Sequence, residues 1–98
     1  MTYEKVLAVF AAYLAEDDTY DVVLSKHGYT VLNGEANCRE LYGALLCRTP
    51  EELRDTLLDA YREYRSFQML TDSPERRPTK AEKAVIESEC QILIEKCQ

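Results

Sequence analysis

Apolar side chains recur at Tyr3, Val6, Leu7, Phe10, Tyr13 and Leu14, the i, i+3, i+4, i+7 spacing that lines one face of a helix. Thr2 stands where a capping residue belongs, so a helix is predicted over 2–15. Glu16-Asp17-Asp18-Thr19 ends it. Acids at this point face the negative end of the helix dipole, an unfavourable place that marks them as turn-formers or as part of an acidic surface. The character of the chain then changes. Tyr20-Asp21-Val22-Val23-Leu24-Ser25 is β-branched and aromatic and predicts a strand. Lys26-His27-Gly28 supplies a tight turn, and Tyr29-Thr30-Val31-Leu32 returns as the second strand of a hairpin. Asn33-Gly34-Glu35-Ala36-Asn37 is rich in turn residues.

Residues 38–47 admit two readings. Asn37 with Glu40 mimics a capping box, and Cys38, Leu41, Tyr42 and Leu45 would share a helical face. Against a helix stand Gly43 in mid-segment, a fresh cap at Thr49, and the marginal stability of a hairpin without a third strand. A third strand over 40–47 is therefore predicted, closing a three-stranded meander over 20–47. Thr49-Pro50-Glu51-Glu52 is the strongest local signal: Thr49 caps, Pro50 takes the first helical position, and Glu52 closes a capping box. That helix runs over 50–70. A linker with two prolines fills 71–78, and Thr79 with Glu82 opens a last helix over 80–97. The expected architecture is a single α+β domain over 1–98: helix, three-stranded antiparallel β-meander, two helices, with one sheet face covered by the first two helices.

The helix at Thr49 sorts its side chains into three arcs. Leu53, Leu57, Ala60, Tyr61, Tyr64 and Phe67 make an apolar face, Arg54, Arg62 and Arg65 a basic arc, and Glu52, Asp55, Asp59 and Glu63 an acidic stripe. Packing does not require such a stripe, because like charges at i,i+4 destabilise a helix by ~0.2–0.5 kcal/mol per pair. Glu16, Asp17 and Asp18 would add to it if the first helix packs alongside. The ordinary alternative is a solvated face in which Asp59–Arg62 and Glu51–Arg54 pair locally. On the last helix Ile86, Cys90, Leu93, Ile94 and Cys97 form one apolar face and Ala81, Val85 and Ile92 a smaller second one, compatible with homodimerisation. Of the seven tyrosines, Tyr3, Tyr13, Tyr61 and Tyr64 read as core, and Tyr20, Tyr29 and Tyr42 as decorating the open sheet face.

Composition narrows the function classes. With 46% hydrophobic and 31% charged residues the chain is of ordinary globular character. Its formal charge is −6, and the acid excess sits mainly in 1–19 and 49–70. Direct contact with nucleic acid or an anionic membrane needs a basic patch, and Arg76-Arg77 in the linker is the only compact basic cluster. A protein partner with a basic surface is permitted instead. The apolar run Val6–Ala15 is too short to span a bilayer, and acids on both sides argue against a signal peptide, so a cytoplasmic location is expected.

Candidate chemistry is sparse. Cys38, Cys47, Cys90, Cys97 and His27 could supply zinc ligands, but the spacings lack the short Cys-x2–4-Cys clip, and buried reduced thiols are the expected state. A Cys47–His27 nucleophile is opposed by the position of His27 in a turn. A pair such as Asp55/Asp59 would be exposed, where nothing raises a carboxyl pKa into working range. No phosphate-cradling glycine loop occurs. Neither catalysis nor a cofactor is expected.

The element order through Leu70 resembles the double-stranded RNA-binding domain, a family that grips phosphates with lysines at the start of the helix after the sheet. Here that start reads Thr49-Pro50-Glu51-Glu52-Leu53-Arg54-Asp55, acidic where the family is basic. With its additional last helix, the chain resembles in size, acidity and element order certain small acidic anti-CRISPR proteins that inhibit Cas nucleases. This resemblance implies carboxylates that stand in for phosphates on a nuclease surface. Carboxylates at i and i+4 lie about 6 Å apart along a helix, near the phosphate repeat of one DNA strand. Glu52, Asp55, Asp59 and Glu63, with Glu16, Asp17 and Asp18, are the candidate partner-binding residues. The expectation is a non-enzymatic interaction protein, in its sharpest form a DNA-mimic inhibitor of a nucleic-acid-binding protein. The alternative is an adaptor or dimerising accessory protein with no such target.

Overall fold

In a computed structural model, which describes residues 1–35, 40–73 and 75–98, the elements run α1 (Tyr3–Glu16), β1 (Tyr20–Ser25), β2 (Gly28–Gly34), β3 (Leu41–Cys47), α2 (Pro50–Met69) and α3 (Lys80–Cys97). The fold is α+β, in the order expected, and the sheet is antiparallel with strand order β1-β2-β3. The turn expected over 33–37 and the Cys38 thiol fall in part or wholly outside the described residues.

Local chemistry sets the helix starts. The Thr2 side chain accepts the Lys5 N–H at 3.1 Å, and the Thr49 side chain accepts that of Glu52, also at 3.1 Å. The Glu52 carboxylate differs from the expected box. It reaches one residue past the cap and accepts the Arg48 N–H at 2.7 Å. At α3 the box is complete, with Glu82 Oε1 accepting from Thr79 N–H at 2.9 Å and the Thr79 hydroxyl accepting from Glu82 N–H at 3.2 Å. The start of α3 is further tied to the end of α2 by Arg76. Its guanidinium donates to Glu82 at 2.7 and 3.0 Å, to the Met69 carbonyl at 3.1 Å and to Asp72 at 3.3 Å. The linker's basic cluster thus loses Arg76 to a structural clamp.

The core is built mainly by helices. Val6, Phe10 and Tyr13 of α1, Leu53, Leu57, Leu58 and Ala60 of α2, and Ile86, Cys90 and Cys97 of α3 are buried together; the sheet adds Val31 and Cys47. α2 packs against both other helices and against β2 and β3. At the α1–α2 contact the Tyr13 ring meets Tyr61 and Tyr64 edge-on, with centroids 5.5 and 5.4 Å apart. Tyr3 closes the other end of α1 on the sheet: its ring lies 5.0 Å from that of Tyr29, and its hydroxyl donates to the Cys47 carbonyl. Two expectations change. Tyr20 packs against the core and Tyr29 lies against Tyr3 of α1 rather than decorating the open sheet face, and Phe67 leaves the apolar face of α2 at 68% exposure while Leu58 joins it.

The pairing of β2 with β3 contains one irregularity. Asn33 pairs with Gly43 but Gly34 with Leu41, so Tyr42 is an extra residue in β3. Such a bulge re-aims a side chain. Gly34 makes it possible, because a Cβ there would stand 2.4 Å from the Glu40 carbonyl oxygen and 3.2 Å from Leu41 Cα. Gly43 has open space around its own Cβ direction.

The contrast between the two glycines is measurable. Gly34→Ala should destabilise the protein by about 1–3 kcal/mol because backbone must move, whereas Gly43→Ala should stay within about 0.5 kcal/mol; chemical denaturation of both variants reads the difference. Separately, the Arg76 guanidinium and then the Thr79 N–H hold the Glu82 carboxyl down from the ordinary 4.5 to about 2. A depressed folded value stabilises above the unfolded pKa and is lost as pH falls toward the folded one. Glu82→Gln should therefore flatten the fall in stability between pH 4.5 and 2, as read from denaturation midpoints across that range.

Candidate functional site

The three arcs of α2 meet three different surroundings. Its apolar face fills the core. Most of its basic arc is turned to α3: Arg62 Nε bonds Glu87 at 2.8 Å, and Arg65 Nε bonds both oxygens of Glu89 at 2.8 and 3.1 Å. The Tyr61 hydroxyl adds a bond to Glu89 at 3.3 Å. The acidic arc does not behave as one stripe.

Each candidate acid has its own role. Glu52 works as a helix-start ligand, roughly 16 Å along the axis from Glu63. Asp55 and Asp59 are exposed and pair with Arg54 at 2.9 Å and Arg62 at 3.0 Å. Exposed pairs of this kind contribute about 0–1 kcal/mol and exchange partners readily. Asp17 is turned inward at 6% exposure, where its carboxylate accepts the Tyr13 hydroxyl at 2.6 Å, the Thr19 hydroxyl at 2.6 Å and the Thr19 N–H at 3.1 Å. It closes the turn after α1. Asp18 is exposed beside it. Glu16 and Glu63 are both exposed, and among the described residues neither has a basic group within ion-pair distance.

The packing of α1 on α2 unites the two acidic segments at one end. Tyr64 of α2 donates to Glu16 at 3.2 Å, and Tyr20 of β1 donates to Glu63 at 3.3 Å. Burial pushes the Tyr20 phenol up, and the carboxylates of Glu63, Asp17 and Asp59 push it further. Burial likewise raises Tyr13 well above its usual value, helped by the hydrogen bond to Asp17. Glu16, Asp17, Asp59 and Glu63 therefore act on one neighbourhood, with Glu52 outside it.

Beside these acids lies an open cleft of about 380 Å³. Tyr20, Tyr42, Tyr64 and Phe67 line it, together with Asn33 and Glu63. Tyr42 and Phe67 are two-thirds exposed, an unusual state for large aromatic side chains. The Tyr42 hydroxyl donates to Glu35 at 3.2 Å, and Gln68 donates to the Tyr64 oxygen at 2.9 Å. Periodicity alone does not bring these rings together. Tyr42 enters through the bulge, and the abundance of tyrosine is the only trace of the cleft in the sequence.

Other candidate chemistry stays apart. Cys47, Cys90 and Cys97 are buried free thiols, and burial pushes all three up, away from the thiolate form a nucleophile needs. His27 sits exposed in the β1–β2 turn, its N–H bonded to the Ser25 hydroxyl at 3.2 Å. Among the described residues no cluster of three or more His, Cys, Asp or Glu side chains is arranged to hold a metal. No helix among the described residues is long and apolar enough to cross a membrane. Comparison with protein families, with curated proteins and with solved structures returned no match.

The division of labour among the acids is testable by stability. Asp17→Ala strands the buried Tyr13 hydroxyl and should cost about 1–3 kcal/mol. Glu63→Gln and Asp59→Asn should each stay within about 0.5 kcal/mol. Thermal or urea unfolding of the three variants gives the comparison.

Proposed function

We propose that this chain is a non-enzymatic interaction protein that docks on a basic surface of a protein partner through the α1–α2 end. The observation that carries the reading is the grouping of Asp59 and Glu63 around Tyr20, with Glu16 bonded to the adjacent Tyr64, beside exposed Tyr42 and Phe67. Of these acids, Glu16 and Glu63 have no basic partner among the described residues, and Asp59 has only an exposed pair with Arg62. Exposed large aromatics next to such acids are the composition of a recognition surface, and these aromatics contribute nothing to the core. Electrostatic attraction of this kind raises the association rate and fixes orientation. In the sharper form of the proposal, the partner is a nucleic-acid-binding protein, such as a Cas nuclease, and the carboxylates occupy phosphate positions. The spacing of Asp55, Asp59 and Glu63 along α2 supports that form. So do the high exposures of Asp55 and Asp59, 62% and 80%, which leave their local pairs open to exchange.

A second reading, an adaptor or homodimer with no nucleic-acid-related target, is favoured by Val85 and Ile92. They stand about half exposed, two turns apart, on the outer face of α3.

The experiment is affinity capture of a partner, followed by binding measured across ionic strength. The primary reading expects binding that weakens with salt and falls about tenfold or more when Asp55, Asp59 and Glu63 all become Lys. The sharper form further expects duplex DNA to compete for the captured partner. Unchanged binding in the triple variant sinks the primary reading. Loss on Val85→Glu or Ile92→Glu instead supports the second.

A further inference from the structure

We propose that the cleft lined by Tyr20, Tyr42, Tyr64 and Phe67 receives an arginine side chain of the protein partner. The assignment rests on the acidic docking reading above and names the group it would recognise.

Hydrogen-bonding capacity restricts the ligand first. The donors that tyrosine hydroxyls would ordinarily offer are already used within the protein. Tyr20 donates to Glu63, Tyr42 to Glu35 and Tyr64 to Glu16. Each of these carboxylates is thereby oriented, yet keeps lone pairs to spare, since an ionised carboxylate accepts at about four sites. The acceptor on the wall of the cleft is therefore the Glu63 carboxylate, with Glu35 and Glu16 adding negative charge through their bonds to the lining Tyr42 and Tyr64. A ligand suited to it brings many donors and no acceptor. Guanidinium meets that description with five N–H groups.

The aromatic lining makes the same choice. The faces of Tyr and Phe rings carry negative potential and attract cations, arginine more often than lysine. Guanidinium is planar and weakly hydrated, so it can lie on a ring face while its edge pairs with a carboxylate; the compact ammonium of lysine holds its water more tightly. Charge selects in the same direction, because the chain carries −6 overall and Glu63 lacks a basic partner among the described residues. The size fits as well. A volume of about 380 Å³ open to solvent admits a long side chain entering from another protein's surface, with its aliphatic stem against Tyr42 and Phe67. Covering those two rings removes exposed apolar area, which a small hydrated ion could not do. Asp17, although it also borders the cleft, takes no part, because it is turned inward at 6% exposure and accepts three bonds from Tyr13 and Thr19.

The test is an NMR titration of the intact chain with N-acetyl-arginine amide, and with the neutral isostere N-acetyl-citrulline amide as control. Saturable shifts of the Tyr20, Tyr42, Tyr64 and Phe67 ring signals are expected with arginine and not with citrulline. Tyr42→Ala and Glu63→Gln, both at exposed positions, should weaken that binding about three- to tenfold, while Glu95→Gln on α3 should leave it unchanged. Equal binding of citrulline would overturn the assignment in favour of a merely apolar cleft. Full binding in Tyr42→Ala would overturn it too. Ring shifts that depend on protein concentration without any added probe would show that a second copy fills the cleft, and would equally overturn it. If the arginine amide fails while partner capture still depends on Asp59 and Glu63, only this assignment falls; if both fail, the docking reading falls with it.

Discussion

Burial of the apolar face of α2 is the constraint on which the rest of the molecule depends. Leu53, Leu57, Leu58 and Ala60 are almost wholly removed from water, and α2 is the element that meets α1, α3 and the sheet alike. Each fully buried leucine contributes about 1.5–3 kcal/mol, so the rotation of α2 about its axis is fixed by far more than any surface pair provides. Once that rotation is fixed, the remaining arcs have no freedom. The arginines at 62 and 65 must face α3, which meets them with Glu87 and Glu89. The acids must face away from α3. Their grouping with the end of α1 is then a consequence of core packing, and any contact surface they form is preorganised by it.

Much of this is legible in the chain because its causes are local. Thr2, Thr49 and Thr79 all cap helices, and the helical spacing of Val6, Phe10 and Tyr13 is the spacing of the buried face. Gly43 and the nearness of the Thr49 cap rightly favour a strand over a helix for β3. Features that depend on other elements are not legible in the same way. Alternation along a strand says which residues share a face but not which face meets the helices, so it leaves Tyr20 and Tyr29 on the wrong side. A helical wheel places Phe67 with Leu53 and Leu57 but cannot show that a cleft, and no packed element, lies opposite it. The bulge at Tyr42 arises from a close backbone approach between Gly34 and Glu40, a nonlocal contact with no pattern of its own in the sequence.

The acids illustrate how the same residue type divides by surroundings. Two positions of the expected set are structural: Glu52 satisfies a backbone N–H ahead of α2, and Asp17 satisfies three donors at the end of α1. Asp17 also resolves the apparent conflict of an acid at a negative helix end. Three hydrogen bonds to one carboxylate outweigh a dipole effect of about 0.3–1 kcal/mol. Asp55 and Asp59 are held by weak exposed pairs, and Glu16 and Glu63 by tyrosine hydroxyls, which orient a carboxylate without neutralising it.

That last distinction decides which part of the acidic surface is strongest. A carboxylate paired with arginine presents little net charge at a distance, whereas one bonded to a neutral phenol keeps its full charge. Tyrosine therefore does two things at the α1–α2 end that arginine could not do. It fixes the positions of Glu16 and Glu63, and it preserves their field, which at physiological ionic strength extends over a Debye length of about 8 Å. By placing arginine toward α3 and tyrosine toward the cleft, the sequence of α2 concentrates uncompensated negative charge beside exposed aromatic rings. The charge then lies where a cation could also find a ring to cover.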